Sequence, residues 1–153
     1  MKLTIILVAA LIIGAISVAG CTSSTNSNQS GTTEGMTFAA TPFVNPPQTP
    51  YGLKPGDEYV AFNCTVKDVS ASPTQKYISS GYWNLVDQNG NIYYPVIDQL
   101  VNGTPGVTLF GTHYASPGQV ESGSVFFEVP ANHAAWNYLY YEDGAARVEL
   151  SLS

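Results

Sequence analysis

The chain opens with its longest hydrophobic run. Leu3–Val18 holds apolar and small residues without a charge, and Lys2 precedes it. One basic residue in front and small residues behind are the pattern of an export leader. The next stretch, Thr22–Gly35, is Ser-, Thr- and Asn-rich and has no apolar residue to bury. It is expected to be a disordered tether. As a flexible coil its 14 residues would span roughly 20 Å on average.

From Met36 onward the pattern takes a period of two, which is the mark of half-buried strands. Met36–Val44 is expected to form a first strand. Asn45–Gly56 carries four Pro and two Gly and reads as an irregular crossing loop. Asp57–Val69 is the clearest strand: Val60, Phe62, Cys64 and Val66 alternate with Ala61, Asn63, Thr65 and Lys67. Tyr82–Val86 follows, with Trp83 and Leu85 on one face. Asp87-Gln88-Asn89-Gly90-Asn91 predicts a hairpin turn with positive φ at Asn89 and Gly90. Ile92–Ile97 is its returning strand, with Pro95 marking an edge or a strand end.

Beyond a turn at Val101–Pro105, Val107–Phe110 reads as a short strand and Ser116-Pro117-Gly118 as a turn. Gly123–Val129 points Val125, Phe127 and Val129 inward and Ser124, Phe126 and Glu128 outward, and Pro130 ends it. Trp136–Tyr141 and Ala145–Leu152 form a terminal hairpin around Glu142-Asp143-Gly144. No stretch has a convincing period of 3.6. Seven or eight short strands with regular turns predict an all-β, antiparallel immunoglobulin-like β-sandwich.

Composition agrees with that class. The 153 residues contain 14 Gly, 10 Pro, 10 Tyr and 6 Phe but only 10% charged residues. The expected organisation is a leader at 1–20, a tether at 21–35 and one domain at 36–153. The formal charge is −6, and without the leader four cations face eleven acids, a balance of −7. Nucleic-acid binding needs clustered Lys and Arg, which this chain lacks. A polybasic membrane patch is excluded for the same reason.

Val18-Ala19-Gly20-Cys21 resembles a lipobox. That resemblance implies cleavage before Cys21, a lipid on its sulfur, and a membrane-anchored domain facing outside the cytoplasm. The competing reading is an uncleaved membrane helix. Leu3–Gly20 has 18 residues, near the lower limit for spanning, and the small-residue cut site favours processing.

Three blocks resemble one group of extracytoplasmic Ig-like domains. They are Lys54-Pro-Gly-Asp-Glu-Tyr-Val-Ala-Phe-Asn-Cys-Thr-Val-Lys67, Trp83-Asn-Leu-Val-Asp-Gln-Asn-Gly-Asn-Ile-Tyr-Tyr94 and Glu121-Ser-Gly-Ser-Val-Phe-Phe-Glu-Val-Pro130. The group is catalogued as a domain of unknown function, and some members carry a telomeric-repeat-binding-factor label. Its members commonly have an Asn soon after the first strand, where this chain has Asp68-Val69-Ser70. The resemblance implies a lipoprotein or secreted protein with a sandwich fold. It supplies no catalytic residues.

Candidate chemistry is sparse. His113 and His133 are the only histidines, and both fall in expected loops or loop edges without a nucleophile motif. A small envelope enzyme using one of them is an alternative to the preferred non-enzymatic reading. Asp87, Asn89, Asn91 and Asp98 have the look of a calcium loop. Gly90 is nevertheless fourth rather than sixth, and the Asn-Gly turn explains the same residues without metal. Cys64 shares the apolar row and is expected to be an inert core thiol. No cofactor is expected.

Tyr82, Tyr93, Tyr94, Tyr138 and Tyr140 are the candidate binding surface, with Tyr141 beside them, set against their use as ordinary sheet-covering pairs. Asn28, Asn63 and Asn102 match the N-glycosylation pattern. Asn102 is the best placed of the three, because Asn63 sits mid-strand. The expected role is a non-catalytic, lipid-anchored module that binds an envelope protein, a glycan or a peptide. A structural spacer or an accessory subunit of an envelope complex is the alternative.

Overall fold

The computed structural model describes residues 29–48, 53–96, 106–144 and 147–152. Among them are ten strands: β1 (Gln29–Thr33), β2 (Met36–Pro42), β3 (Asp57–Asp68), β4 (Lys76–Ile78), β5 (Trp83–Asp87), β6 (Ile92–Tyr93), β7 (His113–Ala115), β8 (Val120–Pro130), β9 (Trp136–Glu142) and β10 (Arg147–Ser151). One four-stranded sheet runs β1-β2-β3-β8, a second runs β10-β9-β5-β6, and β4 and β7 make a two-stranded ribbon. Every strand pair is antiparallel. The fold is an all-β sandwich.

The inward rows meet as the alternation predicts. Phe62, Cys64 and Val66 of β3 and Val125, Phe127 and Val129 of β8 are buried against Trp83, Leu85, Leu139, Tyr141 and Leu150 of the other sheet. Trp83 is the hub. Its ring lies 5.2 Å from Tyr141 and 6.1 Å from each of Phe38 and Phe110, all at steep angles. These edge-on contacts favour the ring quadrupoles.

Four expectations are corrected. The domain begins before Met36, because Gln29–Thr33 is a strand and pairs with β2 in register from Gln29↔Ala40 to Thr33↔Met36. Glu34 (φ 47) and Gly35 (φ 72) form its two-residue turn. A polar segment has no apolar row to announce it, yet its backbone gains a full ladder beside β2. The rest of the tether and the leader, with Asn28 and Cys21, lie outside the described residues.

The Asp87–Asn91 turn takes positive φ only at Gly90 (φ 83), not at Asn89. Gly90 N–H bonds the Asp87 carbonyl at 3.0 Å, and Asp87 N–H bonds the Asn91 carbonyl at 3.1 Å. This is a three-residue loop closed by a left-handed Gly.

The strand expected over Ile92–Ile97 stops at Tyr93. Pro95 then bridges to Phe127, and Val96 N–H bonds the Phe126 carbonyl, so the chain crosses to the other sheet. Pro95 has no N–H to continue the first ladder.

Phe126, expected outward, is buried. It belongs to a second cluster with Tyr59 and Ala61, covered by Phe43, Leu53, Val96, Val107 and Leu109. The crossing chain roofs the outer face of β3 and β8. The expected strand at Val107–Phe110 is part of that roof, where Leu109 makes a single parallel bridge to Ser124.

Candidate functional site

The two histidines are held apart by β8. His113 lies in β7, not in a loop, and its Nε2 is 3.4 Å from Glu121 Oε2 and 3.3 Å from Gln119 Nε2. His133 follows the other end of β8, where its N–H bonds the Pro130 carbonyl. Glu121 and Pro130 are nine residue steps apart, about 30 Å of strand. The His133 Nδ1–H donates to the Ala134 carbonyl at 2.6 Å. Its Nε2 is 3.4 Å from Glu58, and its ring stacks on Trp136 at 4.0 Å. Among these contacts there is no Ser, Thr or Cys for either ring to activate.

The Asp87 side chain holds the turn. Asp87 Oδ1 accepts the Asn89 and Asn91 N–H groups, both at 2.9 Å. Its Oδ2 accepts the Asn91 side-chain amide at 2.8 Å and the Tyr93 hydroxyl at 3.1 Å. Both oxygens face donors, the reverse of what a cation needs. Burial pushes the Asp87 carboxyl up, but the hydrogen bonds from Asn91, Tyr93 and Asn89 outweigh it and hold the group below its ordinary value. Asp98 lies outside the described residues, as does Asn102.

Cys64 is 1% exposed, and burial pushes its thiol well above the usual range. It is the one free cysteine among the described residues. Its neighbour Asn63, expected to be poorly accessible, is exposed on the outer face of β3. There Asn63 accepts from the Ser124 hydroxyl at 2.8 Å, and Thr65 meets Ser122 at 3.0 Å. These side chains line a shallow groove of about 420 Å³ with Phe43 and Thr108.

The tyrosines divide between two sides of the second sheet. Tyr93 and Tyr82 are partly buried and pack on the core, the sheet-covering use set against binding, and Tyr141 is fully buried. The outward row holds Tyr138 and Tyr140 of β9, opposite Val86 and Asn84 of β5. Tyr140 is itself 5% exposed, because the Arg147 guanidinium lies 4.0 Å above its ring. Burial also raises its hydroxyl pKa. Ile92 and Tyr94 continue this face at its edge, 48% and 70% exposed.

A further aromatic pair is absent from the sequence-based candidates. Tyr77 of β4 faces Tyr114 of β7 directly, with ring centroids 5.1 Å apart. Both are exposed, and Tyr82 supports Tyr77 edge-on at 6.0 Å. Three-residue strands carry too little alternation to be read from the chain.

No protein-family model and no curated protein matches this sequence. Three solved structures share the fold at low identity. The secreted protein MPT63 of Mycobacterium tuberculosis aligns at 11% identity over 82% of this chain and 91% of its own, with a TM-score of 0.55. YcdA of Bacillus subtilis, classed as a lipoprotein, aligns at 10% identity over 82% of this chain and 39% of its own, with a TM-score of 0.56. A Listeria monocytogenes protein of unknown function aligns at 12% identity over 80% of this chain and 79% of its own, with a TM-score of 0.51. At this identity the likeness shows the sandwich fold alone.

Proposed function

We propose that this protein is a non-catalytic binding module, anchored by lipid at Cys21 outside the cytoplasm, that holds a protein partner at the cell envelope. The observation that carries the reading is the outer face of the β10-β9-β5-β6 sheet. Tyr94, Ile92 and Tyr138 lie there beside Arg147 stacked on Tyr140. Aromatic residues and Arg are the types enriched where proteins meet. The lipobox at Val18–Cys21 supports the location, and two of the fold relatives are a secreted protein and one classed as a lipoprotein. Fold alone assigns no activity, so the role rests on this surface and on the anchor.

The test is crosslinking in native membranes with a photoreactive residue at position 94, and at position 72 as the control. One stoichiometric protein joined through position 94, and lost in a Cys21→Ala variant, supports the reading. Substrate turnover by the purified protein that disappears with His113→Ala or His133→Ala overturns it. So does equal crosslinking from both positions.

A further inference from the structure

The β4–β7 ribbon carries three cross-strand pairs on its solvent side. Gln75 Nε2 donates to Ser116 Oγ at 3.1 Å, Tyr77 faces Tyr114, and Ser79 Oγ meets Thr112 Oγ1 at 3.2 Å. The pairing register and the period of two put all six side chains on one face, with Ile78 and Ala115 turned into the core. Each of the six is exposed or half-exposed. Successive pairs are about 6.7 Å apart, so the row is about 13 Å long.

None of the six side chains is charged. Lys76 and His113 belong to the opposite face, where Lys76 Nζ bonds the Glu34 carbonyl and His113 meets Glu121. An anion would find no Arg or Lys on this row, and the chain's charge of −6 opposes its approach. A protein partner is better matched by the Ile92–Tyr94 surface, which has aliphatic area and an Arg. The ribbon instead offers two aromatic faces bracketed by hydroxyls and an amide. Ser79 Oγ also accepts the Gly81 N–H at 3.1 Å, while the Gln75 carbonyl, the second Gln75 N–H and the Ser116 and Thr112 hydroxyls keep capacity for further hydrogen bonds. A sugar ring has the matching surface, with apolar C–H patches that stack on aromatic rings and hydroxyls that both donate and accept.

We propose that the Gln75–Ser116, Tyr77–Tyr114 and Ser79–Thr112 row is a binding site for a short, neutral oligosaccharide. Stacking on Tyr77 and Tyr114 supplies the contact area, and the two flanking pairs read hydroxyl positions. The site is separate from the protein-binding face, so either can stand without the other.

The test uses the full-length protein in nanodiscs. It is titrated with cello-, manno- and chitohexaose, following aromatic fluorescence and calorimetric heat. At least one of the three binds. Tyr77→Ala and Tyr114→Ala each weaken it about three- to ten-fold, as expected for the loss of one aromatic contact. Tyr114→Phe keeps the stacking and stays within about two-fold on the same reasoning, and Tyr94→Ala has no effect. Both tyrosines point to solvent, and an unchanged melting temperature confirms that their variants are folded. The proposal is overturned if none of the probes binds at millimolar concentration. Binding that ignores Tyr77→Ala and Tyr114→Ala also overturns it, as does a protein that crosslinks through position 114.

Discussion

The Asp87 carboxylate holds Asn91 twice, accepting its backbone N–H at 2.9 Å on one oxygen and its side-chain amide at 2.8 Å on the other. The turn therefore depends on an ionised carboxylate. Hydrogen bonds to the charged form keep Asp87 below its ordinary value of 3.8 despite burial. Asp68 shifts the same way through Ser70, and Glu128 through the Lys54 N–H. With the folded value depressed, the unfolded chain takes up its protons first as pH falls. The stabilisation is complete above the usual carboxylate range and is lost as pH drops through it toward the folded values. Urea midpoints should fall between pH 6 and pH 3. Asp87→Asn should lower the midpoint at pH 6, and its gap from the parent should narrow at pH 3. A gap that is constant across pH would show that the charge is not the reason.

β1 is held by a close approach. A Cβ on Gly31 would sit 2.4 Å from Val148 Cγ2 and 3.2 Å from Leu150 Cδ2. Val148 is buried and β-branched, so it has little freedom to yield. Gly31→Val is expected to cost about 1–3 kcal/mol, the usual range for overpacking. Hydrogen exchange should localise the effect, with β1 amides exchanging faster and the β3–β8 ladder unchanged. Full protection of Gln29–Thr33 in the variant would contradict the contact.

How much of this was legible depends on burial on one face. β3, β8 and the terminal hairpin were readable because Phe62, Cys64, Val66, Val125, Phe127, Val148 and Leu150 recur at every second position and are all buried. β1 was not, since Gln-Ser-Gly-Thr-Thr gains its place from backbone pairing rather than from side chains. Parity placed Phe126 on the outer face of β8 but gave no sign that this face is covered. Its burial comes from Val96, Val107 and Leu109, remote segments that cross the outer face. The Tyr77–Tyr114 pair joins residues far apart in the chain through strands of three residues each, so neither tyrosine stood out. Asp68 Oδ1 accepts the Ser70 N–H at 2.8 Å, a local turn contact that an Asn oxygen also makes.

Cys64 should stay silent until the chain unfolds. Its sulfur is buried, and burial disfavours the thiolate that reacts. A thiol-reactive chromogen should label it only in denaturant, at a rate set by opening. Cys64→Ser should cost about 1–3 kcal/mol by placing a hydroxyl in an apolar row. The Phe62 carbonyl, which the thiol faces, lies 3.7 Å from the sulfur, too far for a good hydroxyl bond. Fast labelling under native conditions would mean that β3 opens locally.

The position of β1 also limits how far an anchored domain reaches from its membrane. Eight peptide steps separate Cys21 from Gln29, and a fully extended chain covers about 29 Å in that number. With a lipid on Cys21, the start of β1 stays within that distance of the headgroups. Gln29 pairs with Ala40, so the Phe43–Gln48 segment lies at the same end of the sheet. The Glu34–Gly35 turn lies at the other end, where Val69 N–H bonds the Gly35 carbonyl. A donor fluorophore on Val44→Cys should therefore transfer energy to labelled headgroups more efficiently than one on Ser72→Cys, and buried Cys64 would not take up label. Ten Gly/Ser residues inserted before Gln29 should reduce the difference by lengthening the leash. Equal transfer from the two sites in the parent protein would mean that the short connection does not orient the domain.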